Sequence, residues 1–155
     1  ELLIVVVIIG IIAAIAVPNL LASRRSANGA SAVEAMRLFH SVEATYQAGV
    51  GNGAFGSASD LFNQQLIDDS LAAAASATGT SVASGTAKSG YNYTVNTTAP
   101  SASSLADFNV TGTPSATSGI GRTGDRTFFV DATGVIRGTT TATAMANSMS
   151  TPIGN

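Results

Sequence analysis

The stretch that most constrains this chain is its first: ELLIVVVIIGIIAAIAVPNLLAS. From Leu2 to Val17 there is no charge, and Gly10 alone interrupts a run of Leu, Ile, Val and Ala. Those sixteen residues fall short of the roughly 20 that cross a bilayer as a helix. The chain opens on Glu1 rather than Met, so it reads as a processed or truncated product, and a few apolar residues upstream would complete a span. Pro18 falls inside the helical pattern. It removes a backbone hydrogen bond and clashes with the preceding turn, so a kink or local unwinding is expected near Ile15–Pro18. Gly10, a weak helix former, lies two turns earlier.

Glu1 is the odd residue at the head of such a run. A carboxylate at bilayer depth is costly without a partner. The free N–H groups and dipole of a helix start help it, and a cation from another chain would help more. An intersubunit pairing role for Glu1 is expected. At the other end stand Arg24 and Arg25, which the positive-inside rule on its own would place in the cytoplasm.

The opening ELLIVVVIIGIIAAIAVPNLLASRRSANGASAVEAMR resembles the proteins exported with a class III signal: type IV pilins and the pseudopilins of type II secretion. SGYNYTV and RTFFVDATGVIRG are similar to strands of pilin heads from some Gram-negative bacteria. The resemblance implies that Glu1 is the motif glutamate, that four mature residues precede it, and that the mature start is N-methylated after cleavage by a prepilin peptidase. It implies that Glu1 pairs with a neighbour's terminal amine, and that Gly10 to Pro18 is where the helix loosens in the filament. It places the head outside, with a basic leader on the cytoplasmic side. The implied life cycle is single-pass in the inner membrane, then a helical homo-oligomer at the cell surface, with separate ATPases and assembly machinery. Adhesion, twitching motility and DNA uptake are the functions this family serves.

One hundred and fifty-five residues suit one domain with a long helix as its spine. The expected fold is α+β: residues 1–48 form the helix, with 1–23 its membrane or fibre-core part, and 49–155 form a small antiparallel-sheet head. Only 10% of residues are charged, against about 25% in typical soluble domains. The net charge of −2 gives no overall polyanion-binding field. A neutral, hydroxyl-rich head suits close packing against copies of itself or O-glycosylation. There is no cysteine, which excludes a disulfide framework, including the C-terminal loop that many pilins carry.

From Asn19 to about Gln47 helix formers return. Ala35, Leu38, Phe39, Val42 and Tyr46 fall within about 100° of arc and are expected to dock the head, while Glu34, Arg37 and Ser41 face elsewhere. Gly49, Gly51 and Gly53 end the helix. Residues 60–71 read as one short helix capped by Ser59. AAAASATGTSVASGTAKSG reads as a low-complexity surface loop, a candidate for glycans. After Gly90 the period becomes two: Tyr91–Val95, Asp107–Thr111 and Thr127–Val130 read as strands, Asp131–Gly134 as a turn and Val135–Arg137 as its hairpin partner. The tail from Thr139 carries no structural signal.

Other motifs have bland readings. Gly51–Gly56 and Gly119–Gly124 match a nucleotide fingerprint, but the first follows a helix and the second precedes a strand, so both are turns. His40 is the single histidine, so no histidine metal cluster or catalytic triad can form; it lies off the apolar stripe, where a solvated or subunit-facing position is expected. The acids follow no calcium-loop spacing, and the tryptophan-containing C-terminal signature of calcium-holding major pseudopilins is missing. That departure favours a pilin over a pseudopilin. No catalytic, cofactor or metal residue is assigned, and no enzyme is expected. Lys88, Arg122 and Arg126 are candidates for a small DNA site, with intersubunit ion pairing to the acids of this chain's copies preferred. Asn92, Asn96 and Asn109 match the N-glycosylation sequon, although modified Ser or Thr is the better expectation in a bacterium. Phe39 and Tyr46 as an electron path are explained more simply by core packing.

Overall fold

The computed structural model describes residues 1–77 and 86–154. Helix α1 runs Leu2–Ala48, 47 residues without a break. Two short helices follow, α2 Ala58–Asn63 and α3 Asp69–Ala74. The described strands are β1 Ala75–Ala77, β2 Tyr91–Thr98, β3 Asp107–Pro114, β4 Phe128–Asp131, β5 Arg137–Gly138 and β6 Thr151–Pro152. They form one six-stranded sheet in chain order, parallel between β1 and β2 and antiparallel elsewhere. The architecture is α+β, with a long apolar N-terminal helix and a mostly antiparallel sheet, consistent with a pilin-like fold.

The second half of α1 lies on the sheet through a stripe set by its 3.6-residue period. Ala32, Ala35, Met36, Phe39 and Val42 are buried there. Phe39 meets Tyr93 of β2 with ring centroids 5.6 Å apart. On β2, Tyr91, Tyr93 and Val95 alternate inward, and on β3 Phe108 and Val110 do the same. The helix passes so close to β3 at Gly112 that a Cβ there would sit 2.5 Å from the Met36 Cε. Leu38 departs from expectation: it is 40% exposed. It sits about 100° round the helix from Phe39, outside the stripe centred on residues 32 and 39.

Pro18 leaves the helical path continuous, so the expected unwinding at Ile15–Pro18 is not present in the single chain. The helix ends at Gly49, which stays at φ −103 and donates its N–H to the Thr45 and Tyr46 carbonyls, not in the left-handed cap that glycines usually supply. The next glycines serve Tyr46 instead. A Cβ on Gly51 would lie 2.8 Å from that ring and 2.2 Å from the Ala54 carbonyl, and one on Gly56 would lie 3.1 Å from the ring.

The single helix expected over 60–71 is two. Ser57, not Ser59, caps the first in a capping box: Asp60 N–H donates to Ser57 Oγ, and Ser57 N–H to Asp60 Oδ2 at 2.9 Å. Asp68 caps the second, accepting from Leu71 N–H at 3.0 Å. Part of the stretch expected as loop is therefore structured: Ala72–Ala74 close α3 and Ala75–Ala77 pair with β2. Residues 78–85, the middle of the stretch expected to carry glycans, lie outside the described residues.

The expected turn is present. Gly134 at φ +74 donates its N–H to the Asp131 carbonyl at 2.9 Å, and Thr133 N–H donates to Asp131 Oδ1. Its return strand is β5, which starts at Arg137 where Val135 was expected. The tail also has structure that its composition did not announce. Thr127 Oγ1, 1% exposed in its residue, donates to the Ala144 carbonyl at 2.6 Å and accepts from Ala146 N–H at 3.0 Å. β6 then pairs with β5, and Ile153 N–H donates to the Ile136 carbonyl at 2.8 Å.

Candidate assembly and membrane-contact surface

The first twenty residues stand out from the described head. Every residue from Glu1 to Leu20 is exposed. Thirteen Leu, Ile and Val side chains between Leu2 and Leu20 are each 51–81% exposed. Covering a side chain of this kind is worth about 1.5–3 kcal/mol. Together they make free exposure to water untenable, so this half must meet lipid or other protein. Among the described residues this is the one helix long and apolar enough to cross a membrane.

Glu1 occupies the N-cap position of α1, and its side chain makes no capping hydrogen bond. Its carbonyl accepts from Ile4 N–H at 3.2 Å. The carboxylate is thus free for an outside partner. Gly10 has open space around its Cα, with nothing within 4 Å of where a Cβ would stand, and Pro18 lies exposed within the helix. The three residues share an unpartnered surface without touching one another's neighbourhoods.

The charged candidates divide. Lys88 pairs with Asp68 at 2.8 Å, and that ammonium, with the Ser70 hydroxyl, holds the Asp68 carboxyl below the usual range. Arg122 pairs with Asp125 at 2.7 Å, while Arg126 is exposed and its carbonyl accepts from the Tyr91 hydroxyl at 3.0 Å. Lys88 and Arg122 thus pair with acids of their own chain, where intersubunit pairs were expected, because Asp68 and Asp125 lie within reach of them in the folded head. Asn92, Asn96 and Asn109 lie mid-strand, half-buried. Asn96 Nδ2 donates to Asn109 Oδ1 at 2.9 Å directly across the β2–β3 ladder. Phe39 is fully buried and Tyr46 partly so, both in the core cluster. His40 is less free than expected: it is half-buried, 6.2 Å from the Phe108 ring, and a Cβ on Gly134 would lie 2.9 Å from its Nε2. Among the described residues no group of three or more His, Cys, Asp or Glu is placed to hold a metal.

One acid on the core face was missed. Glu43 is fully buried, accepts from Gly56 N–H at 2.9 Å through Oε2, and leaves Oε1 without a partner. Its place four residues after Phe39 was the available signal. Burial pushes its carboxyl up to about 7, against the Gly56 hydrogen bond and with help from nearby Asp60. The sign follows from proton binding: between the unfolded value near 4.5 and the folded value near 7, the folded head holds a proton that the unfolded chain has lost. Stability therefore falls as pH rises through that window and stays low above it. Glu43→Gln keeps an acceptor for Gly56 and removes the titration. Between pH 5 and 8 the wild type should lose on the order of 2 kcal/mol of unfolding free energy, and the variant almost none. Denaturant melts at both pH values check this.

No family model matches the chain, and neither a curated protein nor a solved structure does.

Proposed function

We propose that this chain is a structural, non-catalytic subunit of a type IV pilus. One observation carries the reading: a single continuous helix that is core on one side of its second half and bare, apolar and unpartnered throughout its first twenty residues. A helix divided in this way serves two solvents in turn. In the inner membrane Leu2–Val17 is matched to lipid, and the subunit waits as a reservoir. In a fibre the same surface packs against copies of itself, with Glu1 neutralising a neighbour's terminal amine at the growing base. The sequence resemblance, from the Glu1 opening through residue 37, supports the same assignment. Adhesion, motility and DNA uptake would follow from the filament, driven by separate ATPases.

The test is electron cryo-microscopy of filaments sheared from the source cells, at a resolution that identifies side chains. Thin fibres built from this chain, with Leu2–Val17 in the core and Glu1 beside a neighbour's N-terminus, are the expected result. A sheared fraction that lacks the protein, with the protein retained beside secretion components in the inner membrane, would replace this reading with that of a pseudopilin of type II secretion.

A further inference from the structure

Four of the chain's seven cationic side chains gather where α1 leaves its apolar half. Arg24 and Arg25 stand on the helix itself. Arg122 and Arg126 come from the segment before β4. That segment is tied down: Asn28 Nδ2 donates to the Thr123 carbonyl at 2.8 Å, and Thr123 Oγ1 donates to the Gly90 carbonyl at 2.7 Å. The result is a cleft of about 360 Å³ lined by Leu21, Arg24, Asn28, Ile120 and Arg122 among others. Arg25 and Arg126 line the neighbouring cleft of about 430 Å³ with Asp125.

The charges do not cancel. Asp125 is the one carboxylate lining these two clefts, and it is shared between Arg122 at 2.7 Å and Arg25 at 3.5 Å. Arg25 Nε is buried without a hydrogen-bond partner. Among the described residues neither Arg24 nor Arg126 has a carboxylate within ion-pair distance. Ile120, 82% exposed, lines the first of these clefts beside Arg24 and Arg122.

Depth along the helix says what such a surface meets. The apolar run that would fill the hydrocarbon core closes at Leu21, three residues before Arg24. Arg24 and Arg25 then lie about 5 Å beyond its edge, in the headgroup layer. Ile120, which shares a cleft with Leu21, reaches the boundary itself. We propose that this pole of the head is a docking surface for anionic phospholipid: Arg24, Arg25, Arg122 and Arg126 hold headgroup phosphates while Ile120 enters the top of the acyl layer. This rests on the reading of Leu2–Val17 as a membrane span. It adds that the head is held against the bilayer, and that leaving the membrane for a fibre means releasing phosphates as well as lipid tails.

The chain contains no tryptophan, so one placed at a chosen position reports alone. The full chain carrying Ile120→Trp is reconstituted into vesicles of phosphatidylcholine, or of phosphatidylcholine with phosphatidylglycerol, each with lipids brominated high on the acyl chain. The indole at position 120 should be blue-shifted and quenched where phosphatidylglycerol is present, and less so in phosphatidylcholine alone. Adding Arg24→Gln or Arg122→Gln should lower the docked-to-free ratio roughly fivefold each. Raising salt should do the same. Val6→Trp is the control for the span. If the indole at position 6 is quenched while that at 120 emits as in water, the span stands and the docking surface is wrong. If neither is quenched, the membrane reading falls and takes this proposal with it. If the signal at 120 tracks the protein-to-lipid ratio and not the lipid charge, the surface meets another copy of this chain and the lipid assignment is overturned.

Discussion

Leucine in place of Glu1 should leave the subunit in the membrane and remove its filaments. Glu1 stands at the N-cap with a carboxylate that makes no capping hydrogen bond and is exposed. On the proposed reading, each incoming subunit brings this carboxylate to a terminal amine of its neighbour in surroundings made of Leu, Ile and Val. Taking one member from a desolvated pair strands the other charge, at a cost of about 3–5 kcal/mol. That corresponds to roughly a hundredfold to several thousandfold loss at every addition step, which no growing fibre tolerates. Membrane insertion should be unaffected or slightly improved, since leucine is matched to lipid. Counting fibres on cells, alongside the amount of subunit in the membrane fraction, reads both halves. Wild-type fibre numbers with Glu1→Leu would falsify the pairing role.

The second large effect belongs to the head. Phe39→Ala deletes a fully buried ring that packs at a tilt against Tyr93, at the centre of the stripe joining α1 to the sheet. Substitutions of this kind cost about 3–5 kcal/mol, a large part of the 5–15 kcal/mol that holds a typical domain folded. Leu38→Ala, one residue earlier, removes a side chain that is 40% exposed and should cost less than about 1 kcal/mol. Denaturant unfolding of the full chain in lipid, followed through the head's tyrosines, separates the two. Equal losses would mean that the stripe has been drawn on the wrong side of the helix.

That contrast between neighbours marks how far the sequence could be read. The long helix, its apolar half, the β2, β3 and β4 strands and the Asp131–Gly134 turn all carry strong local signals of run, period or turn chemistry. Leu38 looked like core because hydrophobicity and arc agreed, yet the stripe is centred a residue further round. Glu43 was passed over for the opposite reason: it is charged, and only the tertiary placement of Gly56 gives its carboxylate a donor. β1 came from an alanine run with no strand propensity, and it is a strand because β2 offers an open edge beside it. The short β5 and β6 are likewise products of pairing, too short to leave a pattern. At the candidate assembly surface, Glu1, Gly10 and Pro18 were all legible as exceptions within an apolar run. The arginine-lined pole was half legible. Arg24 and Arg25 are conspicuous, but that Arg122, Arg126 and Ile120 join them depends on Asn28 catching the Thr123 carbonyl across 95 residues of chain.

The buried hydroxyl of Thr127 has a consequence for how such a head is matured and how long it lasts. It binds residues 144 and 146 of the tail from both of its hydrogen-bonding sides, and β6 fastens the end beyond them. The closure of the head is therefore made of non-covalent bonds that form as the chain folds. It waits for no oxidising enzyme, cannot be trapped in a mispaired isomer, and is indifferent to thiols in the medium. Dithiothreitol should leave its melting curve where it was. Thr127→Val, which keeps the shape and deletes the hydroxyl, should loosen the tail first, because the Ala144 carbonyl and the Ala146 N–H then lose their shared partner.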